Sequence, residues 1–154
     1  MEIAGTVEVR NLSSNGYVVM SGLSVTAAAA TGTPALRLTD DLGHVRFLEC
    51  SFRGGQGSGR SPLGCGQLGP GGAGATVSGC QRVAFTRCTL SGGNGGSEYV
   101  DYDCEGGPAG DAVDATNSVT CLYQCTCTGG HGGDAGSFPG AGGRGYSAAG
   151  NGLL

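Results

Sequence analysis

The apolar positions of this chain fall into a short alternating figure that returns twice. Residues 34–55 read PALRLTDDLGHVRFLECSFRGG, residues 73–93 AGATVSGCQRVAFTRCTLSGG, and residues 110–130 GDAVDATNSVTCLYQCTCTGG. Aligning the three on Cys50, Cys88 and Cys125 places Phe47, Phe85 and Leu122 three residues before the cysteine. Phe52, Leu90 and Cys127 then fall two after it, and a Gly-Gly pair closes each unit. Cys50 and Cys88 are 38 residues apart, Cys88 and Cys125 37, and periods of this size signal a repeat architecture.

Within a unit, Val45 and Phe47, then Cys50 and Phe52, alternate with polar neighbours, which is the period of a strand with one face inward. The alternation slips by one at Leu48-Glu49. This predicts two short strands joined by a bend, with both apolar rows facing the same way. No segment carries a helical stripe, and 34 glycines argue against long helices. Short strands at a long period stack as a solenoid, each coil burying its inward row on the next. Cys50, Cys88 and Cys125 are expected to form one ladder, and Phe47, Phe85 and Leu122 a second.

The pattern V-x-F-x-x-C-x-F followed by Gly-Gly resembles the repeats of right-handed parallel β-helix proteins, the pectate-lyase-like superfold. The glycine-rich stretches after each unit are similar to those of large, uncharacterised secreted bacterial β-helix proteins. The resemblance spans about residues 5–154 and implies one all-β domain over 1–154: a right-handed parallel β-helix of about four coils with long glycine-rich insertions. It implies an extracellular or cell-surface location and a non-catalytic structural or adhesion-type role. A polysaccharide lyase or glycoside hydrolase fragment and a phage-tail-like β-helix are the alternatives, because this fold hosts many functions.

The first coil is degenerate. Val18, Met20, Leu23 and Val25 occupy the inward positions, but Ala27–Ala30 replace the glycines. The tail from Arg144 to Leu154 reads as the first half of a further coil, which makes further coils or self-association the expected partners. Three insertions, 57–72, 94–108 and 131–143, follow the Gly-Gly pairs and open alike as GGQG, GGNG and GGHG. That likeness favours order over disorder, with glycine permitting tight positive-φ loops packed on the coil. Insertions in solenoids tend to share one face, so the working surface is expected there.

Charge narrows the functional classes. The net charge is −4, which disfavours nucleic acid, and all eight basic side chains are arginines, which removes a phosphate-loop lysine and Schiff-base chemistry. Residues 1–90 carry seven arginines against five acids, and residues 91–154 Arg144 against seven, so the molecule is expected to be electrically polar along its axis. The N-terminus lacks the basic-then-apolar pattern of a signal peptide, and no stretch is apolar enough to span a membrane. Carbohydrate remains a candidate ligand, an anionic glycan at the arginine-rich end in particular.

Several clusters have chemistry to weigh. Cys50, Cys88 and Cys125 read as buried, reduced hydrophobes. Cys65 and Cys104 lie in insertions 15 and 16 residues past the ladder, so adjacent coils could bring them together as a disulfide in an oxidising compartment. Cys121, Cys125, Cys127 and His131 are ligand types zinc accepts, though their spacing matches no common zinc module. Glu98, Asp101, Asp103 and Glu105, with Asp111 and Asp114, form an acidic group that could hold Ca²⁺, although a solvated acidic loop is the simpler reading. No other cofactor is expected. Asp40-Asp41 and Gly130-His131-Gly132 resemble polygalacturonase motifs but lie 90 residues apart, and Asp40-Asp41 reads better as a turn. Arg144 is the only base candidate in the acidic half. No catalytic residue is assigned.

Overall fold

A computed structural model describes residues 1–29, 32–59, 68–97, 105–134, 139–149 and 152–153. It is all-β, with no helix among the described residues. The strands are β1 (Glu2–Ala4), β2 (Val7–Arg10), β3 (Tyr17–Ser21), β4 (Ser24–Thr26), β5 (Leu36–Thr39), β6 (His44–Leu48), β7 (Ser51–Arg53), β8 (Ala75–Ser78), β9 (Arg82–Thr86) and β10 (Thr89–Ser91). They continue as β11 (Val113–Thr116), β12 (Val119–Tyr123), β13 (Thr126–Thr128), β14 (Tyr146–Ala149) and β15 (Gly152–Leu153). They form three five-stranded sheets: β1-β4-β7-β10-β13 (sheet A), β14-β11-β8-β5-β2 (sheet B) and β15-β12-β9-β6-β3 (sheet C). Every pairing is parallel. The chain visits sheets B, C and A in turn and then repeats, an arrangement consistent with a parallel β-solenoid.

The registers explain the sequence alignment. Met20, Phe47, Phe85 and Leu122 occupy one row of sheet C, and Ile3, Val25, Phe52, Leu90 and Cys127 one row of sheet A. Sheet B closes the core with Val7, Leu36, Ala75, Val113 and Tyr146 in one row. Phe47 stacks on Phe85 at 5.1 Å, and Phe52 meets both rings edge-on at 5.3 and 6.3 Å. These geometries add to the burial of each ring.

The slip in alternation is a left-handed residue. Glu49, Arg87 and Gln124 have φ of 53°, 52° and 53°, and Gly22 has 61° at the same corner of the first coil. A second corner, between sheets B and C, repeats the device with Asn11, Asp40, Gly79 and Asn117 at φ of 56°, 52°, 66° and 49°. One left-handed residue turns the chain sharply and lets the following side chain point inward again. At the second corner that side chain is Leu12, Asp41, Cys80 or Ser118. At the first it is Leu23, Cys50, Cys88 or Cys125.

Corner side chains cap the backbone of the coil before them. Asp41 Oδ1 accepts the Leu12 N–H at 2.8 Å, and Ser118 Oγ accepts the Cys80 N–H at 3.0 Å. Cysteine sulfurs hold the same places. Cys88 lies against the Cys50 backbone N–H, and its thiol reaches the Phe47 and Thr86 carbonyls at 3.5 and 3.4 Å. Cys125 repeats the arrangement toward Phe85, at 3.3 Å, and Tyr123, at 3.5 Å. Cys50 and Cys88 are buried, and Cys125 is half-buried.

The third corner, from sheet A to sheet B, carries the insertions, and their described residues do not form positive-φ turns. Among the described residues the left-handed glycines are Gly5, Gly22, Gly32 and Gly79, all outside the insertions. The limbs leaving and re-entering the coils are extended, and their hydrogen bonds recur every third residue. Gly54 and Gly57 donate to Ser91 and Asn94, and Gly92 and Gly95 to Thr128 and His131. On the returning side, Leu68, Gly71 and Gly74 donate to Glu105, Pro108 and Asp111. Three residues per turn without internal hydrogen bonds is the polyproline II repeat.

Leaving and returning limbs form two layers, joined glycine to glycine. Gly143, Gly130, Gly110, Gly93 and Gly72 each donate to the next in that order, then Gly72 to Gly55 and Gly55 to Thr33, at 2.7–3.0 Å. A second such line runs Gly140, Gly133, Gly107, Gly96, Gly69 and Ser58 at 2.8–3.1 Å. Glycine is needed here for close approach rather than for φ. A Cβ on Gly133 would overlap the Gly96 carbonyl, and one on Gly96 the Ser58 carbonyl.

Candidate functional site

The three sheets differ on their outward faces. Sheet A presents mainly small hydroxyls, Ser24, Thr26, Ser51, Thr89, Ser91, Thr126 and Thr128, together with Glu2, Ala4 and Arg53. Sheet C presents Tyr17, Val19, Val119 and Tyr123, four of the large apolar side chains exposed among the described residues. They form two pairs, on β3 and on β12, separated by β6 and β9. A cavity of about 470 Å³ opens on that face, lined by Tyr17, His44, Arg46, Arg82 and Cys121, with Ala84 and Val119 supplying apolar wall.

Register builds this site from four coils, β12 contributing Val119 and Cys121. Tyr17, His44 and Arg82 share one row across β3, β6 and β9, because Tyr17 pairs with His44 and His44 with Arg82. Arg46 lies two residues further along β6 and reaches back, its Nη1 donating to the Tyr17 hydroxyl at 3.3 Å. That hydrogen bond leads the causes that raise the Arg46 guanidinium above its ordinary pKa. Arg82 Nη1 meets His44 Nε2 at 2.7 Å, and a guanidinium only donates, so this ring nitrogen is the acceptor. The Tyr17 and His44 rings lie 6.0 Å apart.

Both guanidiniums are thus held by neutral groups. The ion pair among the described residues is Arg87–Glu49, at 2.7 Å, between left-handed corner residues of successive coils. Arg46 and Arg82 both line the cavity, and each makes one contact with a neutral group there. Sheet C lies across the coil from the insertion corner, so this cavity is not on the insertion side, where the sequence placed the working surface.

The sequence-derived clusters are distributed as follows. Cys121 faces outward on sheet C beside Arg46, whereas Cys125 sits at a corner and Cys127 faces inward on sheet A. His131 is exposed on a leaving limb, its N–H donating to Asn94 Oδ1 at 3.0 Å. The coil therefore separates the four zinc candidates, and among the described residues no group of three His, Cys, Asp or Glu could hold a metal. Cys65 and Cys104, and Glu98, Asp101 and Asp103, lie outside the described residues. Glu105 is exposed, and its carbonyl accepts the Leu68 N–H. Asp111 Oδ1 accepts the backbone N–H of Arg144 at 2.6 Å, and Asp114 points outward from sheet B. Asp40 shapes a corner and Asp41 is fully buried as a cap.

Sequence reasoning singled out none of Tyr17, His44 and Arg82, and took Arg46 only as a polar residue between inward positions. Their signal was register: once the coils are stacked, outward positions of neighbouring coils adjoin. No known protein family, curated protein or solved structure matches the chain. Among the described residues, no helix is long and apolar enough to cross a membrane.

Proposed function

We propose that the chain is a non-catalytic module of a right-handed parallel β-helix in an extracellular or cell-surface protein, with a structural or adhesion-type role. The observation that carries this reading is the double glycine layer. Segments that would be mobile loops in a scaffold for changing ligands are instead bonded limb to limb, so most of the chain joins one continuous rod. Hydrogen exchange tests this. The amides of Gly72, Gly93, Gly110 and Gly130 should be protected as strongly as those of the core strands. Exchange at the rate of exposed loops would remove the support for a structural role.

The cavity on sheet C favours a second reading, a polysaccharide lyase or glycoside hydrolase. A lyase needs a base together with a cation that neutralises the substrate carboxylate, and Tyr17, His44, Arg46 and Arg82 offer both types of group. An assay for unsaturated uronate and one for reducing ends, each with and without Ca²⁺, separates the readings. The structural reading expects no product. Reproducible product abolished by His44→Ala or Arg82→Ala would establish the enzyme instead.

A further inference from the structure

We propose that the cavity on the outer face of sheet C is a binding site for a tetrahedral oxyanion, a sulfate or phosphate ester carried on a larger ligand. The site goes beyond the structural reading and holds whether or not the module is catalytic.

Two observations carry it. First, Arg46 and Arg82 come from adjacent coils and bend toward one row, Arg46 to Tyr17 and Arg82 to His44. Their partners are a hydroxyl and an imidazole nitrogen, neither of which cancels the guanidinium charge. Each guanidinium has five N–H donors and spends one on its anchor. Arg46 and Arg82 line the same cavity, and an anion with three free oxygens can engage two guanidiniums at once more fully than a carboxylate with two. Second, the wall beside the arginines is apolar, from Ala84 and Val119, and Tyr17 stands exposed at the rim. A ligand with a charged ester group and an apolar ring face would use both parts. A free inorganic ion would use only the first.

Anchoring explains why this pair differs from the other arginines. Arg87 is neutralised by Glu49, and Arg37 and Arg53 stand exposed on other sheets, outside the cavity. The preorganised pair loses less side-chain freedom on binding than free surface arginines would.

The test is calorimetric titration of the whole chain at about 20 and about 150 mM salt, since exposed charge contacts weaken with screening. The probes are a sulfated galactan oligosaccharide, a short polyphosphate and an oligogalacturonate of matched length. At least one of the first two should bind, and the tighter one identifies the ester. R46Q/R82Q, two exposed changes checked by an unaltered melting curve, should weaken binding by roughly tenfold for each guanidinium lost. R37Q, which removes one positive charge from sheet B, should change it less than about twofold. Alkylation of Cys121, followed by peptide mapping, should slow when the binding probe is present. Three results overturn the proposal: no binding of either ester probe, oligogalacturonate binding as tightly as the esters, or equal loss in R37Q.

Discussion

The strand-built coils and the glycine layers solve one problem by opposite means. Both must bury backbone without leaving N–H and C=O groups unpaired. The coils pair strand with strand and fill the enclosed space with side chains such as Phe47, Phe52, Phe85 and Leu90, all fully buried. The layers enclose no space. Limbs approach until glycine meets glycine, as in the line from Gly143 to Thr33, and the neighbouring backbone takes the place of water. Stability in the coils comes chiefly from apolar area removed from water. In the layers it comes from hydrogen bonds and close contact, with no side chain to spare. The two regions should therefore fail under opposite substitutions: the coils when atoms are removed, the layers when atoms are added.

The largest effect is expected in the coils. Phe85→Ala removes a ring packed against Phe47 and Phe52 and should cost about 3–5 kcal/mol in chemical denaturation. Phe85→Leu imitates Leu122 one rung on and should cost less than about 1.5 kcal/mol. A cost for the leucine variant equal to that of the alanine variant would mean that ring stacking, not volume, fills this rung.

Adding one methyl to the layer should come close to the loss of a whole ring. Gly96→Ala places a Cβ against the Ser58 carbonyl and should destabilise by about 3 kcal/mol, with exchange protection lost first at Gly69 and Gly107. A neutral Gly96→Ala would show that the limbs do not pack this closely in solution.

Corner cysteines give a smaller effect that depends on pH. Burial pushes the Cys88 thiol up from its ordinary 9.0 to about 11. It also raises Cys80 and Cys127. Native Cys88 keeps its proton where the unfolded chain has begun to release it, so unfolding gains favour between those values. Stability should be level below pH 9 and fall as pH climbs toward 11, and Cys88→Val should flatten part of the fall in urea midpoints. Cys88→Ser should cost only about 1 kcal/mol, because Ser118 already makes the equivalent corner bonds with a hydroxyl.

The smallest expected effect has the opposite sign. Gly142→Ala is in the same layer, but its Cβ would meet only the Gly130 carbonyl at 4.0 Å. The change should stabilise by about 0.4–1 kcal/mol through the unfolded chain. Destabilisation here would mean that glycine composition itself, rather than close approach, holds the layer together.

Much of the coil was legible because side chains carry its pattern. Phe47, Phe85 and Leu122 announced their rung, and the slip at Leu48-Glu49 announced a bend that proves to be a left-handed residue. The layers were harder to read, because their pattern is glycine at every third position, as in Gly93 and Gly96 or Gly107 and Gly110. Against a glycine-rich background that period looks like composition. The cavity was harder still. Tyr17, the pair His44 and Arg46, and Arg82 come from three successive coils, and only the register of β3, β6 and β9 sets them side by side.

The line of glycine hydrogen bonds also has a direction in time. Its members follow sequence order, 33, 55, 72, 93, 110, 130 and 143, so every limb bonds to the limb made just before it and the one made just after. A chain emerging from a ribosome or a secretion pore, N-terminus first, can therefore lay each limb onto a finished neighbour. The remaining bonds close one coil later, as when Gly54 and Gly57 donate to Ser91 and Asn94. The rod can lengthen at its growing end like a wall raised course by course, exposing one unfinished edge at a time.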